Sequence, residues 1–218
     1  MEMLNNSNPV DLILIFASLA VLPFVALMVT SYVKIVIVLS LIRNALGIQQ
    51  NPPNLVLNGL SIILSLYIMS PVTTAMFESL NSRTIDIKDK AGLMETLHEV
   101  ETPLKAFLMK HASPREQKFF HQTAYKLWPE EQAQKLKSDS LLVLVPAFTV
   151  SELTSAFQIG FLIYLPFIAV DLIVSNVLLA MGMMMVSPMT ISLPLKLLLF
   201  VTADGWTRLI HGLVLTYT

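Results

Sequence analysis

The sequence contains no cysteine, which excludes disulfides, thiolate metal sites and cysteine nucleophiles. Charge is scarce as well: 13% of residues are charged, against about 25% in an average soluble domain. The net charge of -1 leaves no basic stripe for a nucleic-acid partner. None of the four histidines, His98, His111, His121 and His211, stands in an HExxH or other metal-ligand spacing. GxSxG, Walker and dinucleotide fingerprints are missing, so the chain offers no site for nucleophilic or phosphate chemistry. We therefore expect neither enzyme nor cofactor. The opening residues, MEMLNNSNPVD, lack the positive start of a cleavable signal peptide, so the first apolar segment is expected to be retained.

Apolar residues fill the space that charge leaves. They make up 55% of the chain, and the mean hydropathy is +0.68, a membrane-type composition. Residues 78–139 hold ten basic and ten acidic residues, which leaves nine charged residues for the rest. The chain thus divides into an apolar block (1–77), a hydrophilic insert (78–139) and a second apolar block (140–218). Leu12 to Val33 is an uncharged stretch of roughly 22 residues, enough to cross a ~30 Å hydrocarbon core. Pro23 in its middle predicts a kink or break. Lys34 and a further apolar run to Ile42 make the segment too long for one simple span, so a bent helix or a hairpin is expected. A turn-rich link follows, with Gly47 and Pro52-Pro53. Ser70-Pro71 then reads as a helix cap and first-turn proline that would break the next segment. Lys34 and Arg43 favour a cytoplasmic link and so a periplasmic insert. Within the insert, Ser113-Pro114-Arg115-Glu116 is a capping-box signature, and Trp128-Pro129-Glu130-Glu131 opens another helix. Leu93, Leu97, Val100, Leu104 and Leu108 recur at helical spacing and predict one apolar face that docks on the rest.

The stretch from Ser140 to Trp206 is the most informative. Pro146, Pro166, Pro188 and Pro194 interrupt it, as do two carboxylates, Glu152 and Asp171. Ionisable residues in such surroundings usually face a bundle interior or a wet cavity and pair with a cation. The alternative is that each marks a hairpin tip or a helix start. Lys34, Arg43, Lys196 and Arg208 are the basic residues of the apolar blocks, so one of them, or a partner chain, should neutralise each acid. Met181, Met184 and Met185 fall at i, i+3 and i+4, one helix face, with Met183 adjacent. Such a stripe is either core packing or a soft surface, because flexible thioethers refit around varied apolar shapes. A ring of methionines from several subunits could close a pore yet yield to a polypeptide, whereas ion filters use carbonyl or charged rings.

Two stretches, PFVALMVTSYVKIVIVLSLIRNALGIQQNPPN (23–54) and SELTSAFQIGFLIYLPFIAVDLIVSNVLLAMGMMMVSPMTISLPLKLLLFVTADGW (151–206), resemble the SctR/FliP family. These are core export-apparatus subunits of bacterial type III secretion systems and flagella. The resemblance covers both apolar blocks, and the LWP and SDSL stretches of the insert resemble the injectisome branch. A missing signal peptide points the same way, since flagellar relatives generally carry one. The resemblance implies an all-α protein of broken or kinked helical hairpins with a helical insert, assembling into a cone. It implies five copies joined by SctS-like and SctT-like subunits in the bacterial inner membrane, multi-pass by sequence, with the assembly largely on the periplasmic side. Rod, needle and export-gate proteins, membrane lipid and unfolded secreted proteins in transit would be its further partners. The family's methionine gasket falls here on Met183, Met184 and Met185, with Met181 and Met189 at its periphery. Lys34, Arg43, Glu152, Asp171, Lys196 and Asp204 become inter-subunit or buried charge contacts. The implied function is an entry gate for unfolded effector and needle proteins. The rival readings are a scaffold that nucleates the rod or needle without gating, and a small-solute or proton channel using Asp171.

Overall fold

A computed structural model describes residues 9–48, 51–81 and 90–218. Among these the chain is all-α, with no strand. The first apolar block forms α1 (Pro9–Met28), α2 (Tyr32–Leu46) and α3 (Asn54–Asn81). The insert forms α4 (Lys90–His111), α5 (Pro114–Leu127) and the single turn α6 (Glu130–Ala133). The second apolar block forms α7 (Leu141–Ala180), α8 (Pro188–Thr202) and α9 (Gly205–Leu215). Helix α3 carries the chain past position 77 and ends at Asn81.

Several prolines expected to kink or break helices do not interrupt them. Helix α1 runs through Pro23, α3 through Pro71, α7 through Pro146 and Pro166, and α8 through Pro194. A proline removes one backbone hydrogen bond. In an apolar helix the turns on either side keep theirs, because no water competes for them. Pro188, by contrast, opens α8 at its first turn. The first segment instead bends by 65° at Val29–Ser31, beyond Pro23. Two hydroxyls are bonded there, the first to a backbone carbonyl, a local alternative to the helix ladder. Thr30 Oγ1 donates to Leu27 O at 3.3 Å, and buried Ser31 Oγ donates to Ser65 Oγ on α3 at 3.2 Å. A second bend, of 61°, separates α8 from α9 at Asp204, which adopts φ 53°.

Helix α2 is the spine. Its Ile35, Val38, Leu39, Ile42 and Leu46 are buried against α7, α8, α9 and α3. Close approach to α7 depends on Gly160, where a Cβ would lie 2.3 Å from Leu41 Cδ1. A second core joins the insert to both apolar blocks: Phe107, Leu108 and Ala112 pack with Val29, Met69, Leu144, Ala147, Phe148 and Tyr217. The apolar face expected on α4 therefore docks through Leu108, with Leu104 partly buried beside it. The side chains of Leu93 and Leu97 lie outside the described residues. At the start of α5, Ser113 and Pro114 stand where expected, but the capping box does not form through the serine side chain. Ser113 N–H donates instead to Ser151 Oγ of α7 at 2.8 Å, so the cap residue ties the insert to the apolar block.

Among the described residues, α3 and α7 are each long and apolar enough to cross a membrane, and the number of such candidates rises to four if each bent pair counts as one. The 40 residues of α7 extend about 60 Å at the helical rise, roughly twice the ~30 Å hydrocarbon thickness.

Candidate functional site

The methionines sit at a hairpin tip. Helix α7 ends at Ala180, and residues 181–187 form a turn before α8. The expected i, i+3, i+4 helix face of Met181, Met184 and Met185 is thus not formed, because the helix stops first. It stops by a Schellman closure: Gly182 N–H donates to Leu179 O at 3.0 Å and Met183 N–H to Leu178 O at 2.9 Å. Gly182 supplies the left-handed φ of 73° that this closure needs. Beyond it, Met184 is 80% and Met185 101% exposed, whereas Met183 is half-exposed at 41%. Met181 is exposed as well. Met189, also exposed, lies in the first turn of α8 beside Gly47 at the end of α2, its Cε 3.4 Å from where a Cβ would stand.

The acids fall well away from this tip. Asp171 lies inside α7, not at a hairpin tip or helix start, and pairs with Lys196 Nζ of α8 at 2.6 Å. Lys196 is buried and also donates to Ala45 O near the end of α2 at 3.2 Å. One lysine thus ties both legs of the methionine hairpin to α2. Ser192, one turn nearer the tip on α8, is buried with its Oγ unbonded. Glu152, also inside α7 and buried, meets Lys34 Nζ of α2 at 2.8 Å. Tyr217 donates its hydroxyl to the same carboxylate, and its ring centroid lies 4.1 Å from Lys34 Nζ. Both acids are therefore neutralised by lysines of the same chain.

Tyr217 carried no signal in the sequence. Its role depends on the 61° bend of α8 and α9, which returns the chain to the start of α2. The tyrosine ring then stacks with Phe107, their centroids 6.1 Å apart, and meets the edge of His111 at 5.1 Å. Burial first, and the positive charge of Lys110 and Lys34 second, hold His111 down at about 4, so its imidazole stays neutral. Arg43 braces the link between α2 and α3: Nη1 donates to Asn54 Oδ1 at 2.6 Å and to Pro52 O at 3.3 Å. Asp204 is exposed at the α8–α9 bend and accepts from Thr207 Oγ1 at 3.0 Å.

Among the described residues the arrangement is a soft apolar tip on long apolar helices that ion pairs hold together. Residues 15–213 match the FliP family. The chain is 53% identical over 215 residues to the Yop proteins translocation protein R of Yersinia pestis, covering 99% of each. It is 48% identical over 219 residues to the hypersensitivity response secretion protein HrcR of Ralstonia nicotianae, covering 98% of this chain and 100% of that one. The virulence protein YscR of Salmonella typhimurium is 48% identical over 215 residues, with 97% and 98% covered. This chain belongs to the FliP family.

Proposed function

We propose that this chain is a component of a type III secretion export apparatus, and that several copies, five by the resemblance, form its entry gate. Family membership and relatives named for translocation and secretion support the first part. One observation carries the second: Met184 and Met185 project from the hairpin tip at 80% and 101% exposure. A single chain gains nothing by presenting thioethers to water, since burying such a side chain is worth about 1.5–3 kcal/mol. Copies arranged in a ring bring Met183, Met184 and Met185 together into a gasket that refits around a passing unfolded chain. The exposed apolar faces of α1, α3, α7 and α8 then meet neighbouring copies, SctS-like and SctT-like subunits, or lipid. The assembly belongs to the bacterial inner membrane and rises toward its periplasmic side, with the insert as its soluble flank. Energy for export comes from other components.

The test is replacement of Met183, Met184 and Met185 together by alanine in the assembled complex, followed by ion flux across the membrane. A gate leaks while the complex remains assembled. Intact complexes without leak, or loss of assembly, would point to a scaffold. Flux that responds to Asp171→Asn and not to the methionines would point to a proton or solute channel.

A further inference from the structure

Four basic residues lie in the apolar blocks, and the fold engages three of them: Lys34 with Glu152, Arg43 with Asn54, and Lys196 with Asp171. Arg208 on α9 is the fourth. Its side chain is exposed and makes no hydrogen bond or ion pair among the described residues, while its backbone N–H donates to Asp204 O at 3.1 Å. The Asp204 carboxylate, one turn earlier, accepts from Thr207 Oγ1 and not from this guanidinium. Arg208 edges a cleft of about 280 Å³ between α2, α7, α8 and α9, whose walls are Ile42, Ile163, Phe167, Leu199, Phe200 and Leu209. The 61° bend between α8 and α9 opens this cleft by carrying α9 away from the line of α8.

We propose that this cleft binds a phospholipid with an anionic headgroup, its acyl chain among the apolar walls and its phosphate on the Arg208 guanidinium. Charge complementarity selects the ligand. A planar guanidinium forms paired hydrogen bonds to phosphate oxygens, and an apolar slot beside one free cation matches an amphiphile with one anionic end. The proposal does not depend on the gate reading.

The full-length chain, purified in detergent, is examined by native mass spectrometry with phosphatidylglycerol, phosphatidylcholine or inorganic phosphate added. Phosphatidylglycerol should be retained over phosphatidylcholine by about five-fold, the worth of one arginine at an anionic surface. Arg208→Gln should abolish that preference and Arg208→Lys should keep part of it. Ala203→Phe, which fills the cleft from its rim, should lower retention of both lipids. Circular dichroism checks that each variant is folded. Equal retention of the two lipids by the unaltered chain overturns the proposal, as does a preference that survives Arg208→Gln. Displacement of phosphatidylglycerol by inorganic phosphate alone would make this a plain anion site. Oligomers that fall apart in Arg208→Gln while lipid retention is unchanged would give the surface to a second copy of the chain.

Discussion

Lys34 and Glu152 meet 2.8 Å apart with 5% and 2% of their side chains exposed, and this pair joins the start of α2 to the upper part of α7. Neither charge reaches water, so each is tolerable only because the other is present. Removing one partner of such a pair costs about 3–5 kcal/mol, whereas replacing both by apolar groups can be close to neutral. Lys34→Met and Glu152→Gln should each lower the thermal stability of the detergent-solubilised protein strongly. The double variant should recover much of the loss. Additivity of the two single effects to within about 0.5 kcal/mol would mean that the residues are not coupled.

The Lys196–Asp171 pair should behave unequally. Asp171 keeps 43% of its side chain exposed, and Lys196 only 7%. Without Lys196 the carboxylate can still hydrate. Without Asp171 the ammonium stays buried with one carbonyl, Ala45 O. Asp171→Ala should therefore destabilise more than Lys196→Met, because the cost lies in the charge left behind. Denaturation of both variants in detergent settles the order, and the reverse ranking would contradict the burial argument.

These two pairs also mark how far the sequence could be read. The isolated charges in the apolar blocks stood out by type, and a short set of candidate partners followed from their scarcity. Which lysine met which acid did not, since Lys34 and Glu152 are brought together only when α2 packs along α7. Prolines misled for a related reason. Pro23 and Pro71 carry the local chemistry of a helix break, but continuous apolar turns on both sides outweigh it. The true elbow, at Thr30 and Ser31, is held by hydroxyls bonded to Leu27 O and Ser65 Oγ, and the second of these partners is distant in sequence. The methionines were legible as a soft apolar run. Their placement on a turn rather than a helix face rests on Gly182.

His111 gives the protein a pH dependence whose sign follows from its burial. In the folded chain its imidazole titrates at about 4, and in the unfolded chain near the ordinary 6.5. Between these values the unfolded state binds more protons, so stability rises with pH across this window and is lost as pH falls from 6.5 toward 4. Thermal melts at closely spaced pH values should show this slope. His111→Phe keeps a ring beside Phe107 and Tyr217 and should remove the part of the slope that belongs to this histidine. An unchanged slope in the variant would assign the pH dependence to other groups.

Two glycines should fail on substitution for different physical reasons, and a second mutation separates them. Gly160 has a Cβ position 2.3 Å from Leu41 Cδ1 and 3.2 Å from Leu41 Cβ, so Gly160→Ala overpacks the α2–α7 contact by about 1–3 kcal/mol. Trimming the neighbour with Leu41→Ala should relieve that strain. At Gly182 the Cβ would meet nothing within 4 Å, but φ is +73°. Gly182→Ala then costs about 1–2 kcal/mol through backbone conformation alone, and no neighbouring substitution should restore it. The Gly182 variant should also disturb the amide of Met183 on Leu178 O, and with it the direction in which the methionines leave the helix. In the assembled complex it should raise ion leak, whereas Gly160→Ala combined with Leu41→Ala should not. A Gly182→Ala complex that is destabilised yet fully sealed would show that the gasket tolerates a redirected loop, and would move the requirement for Gly182 from the seal to the fold.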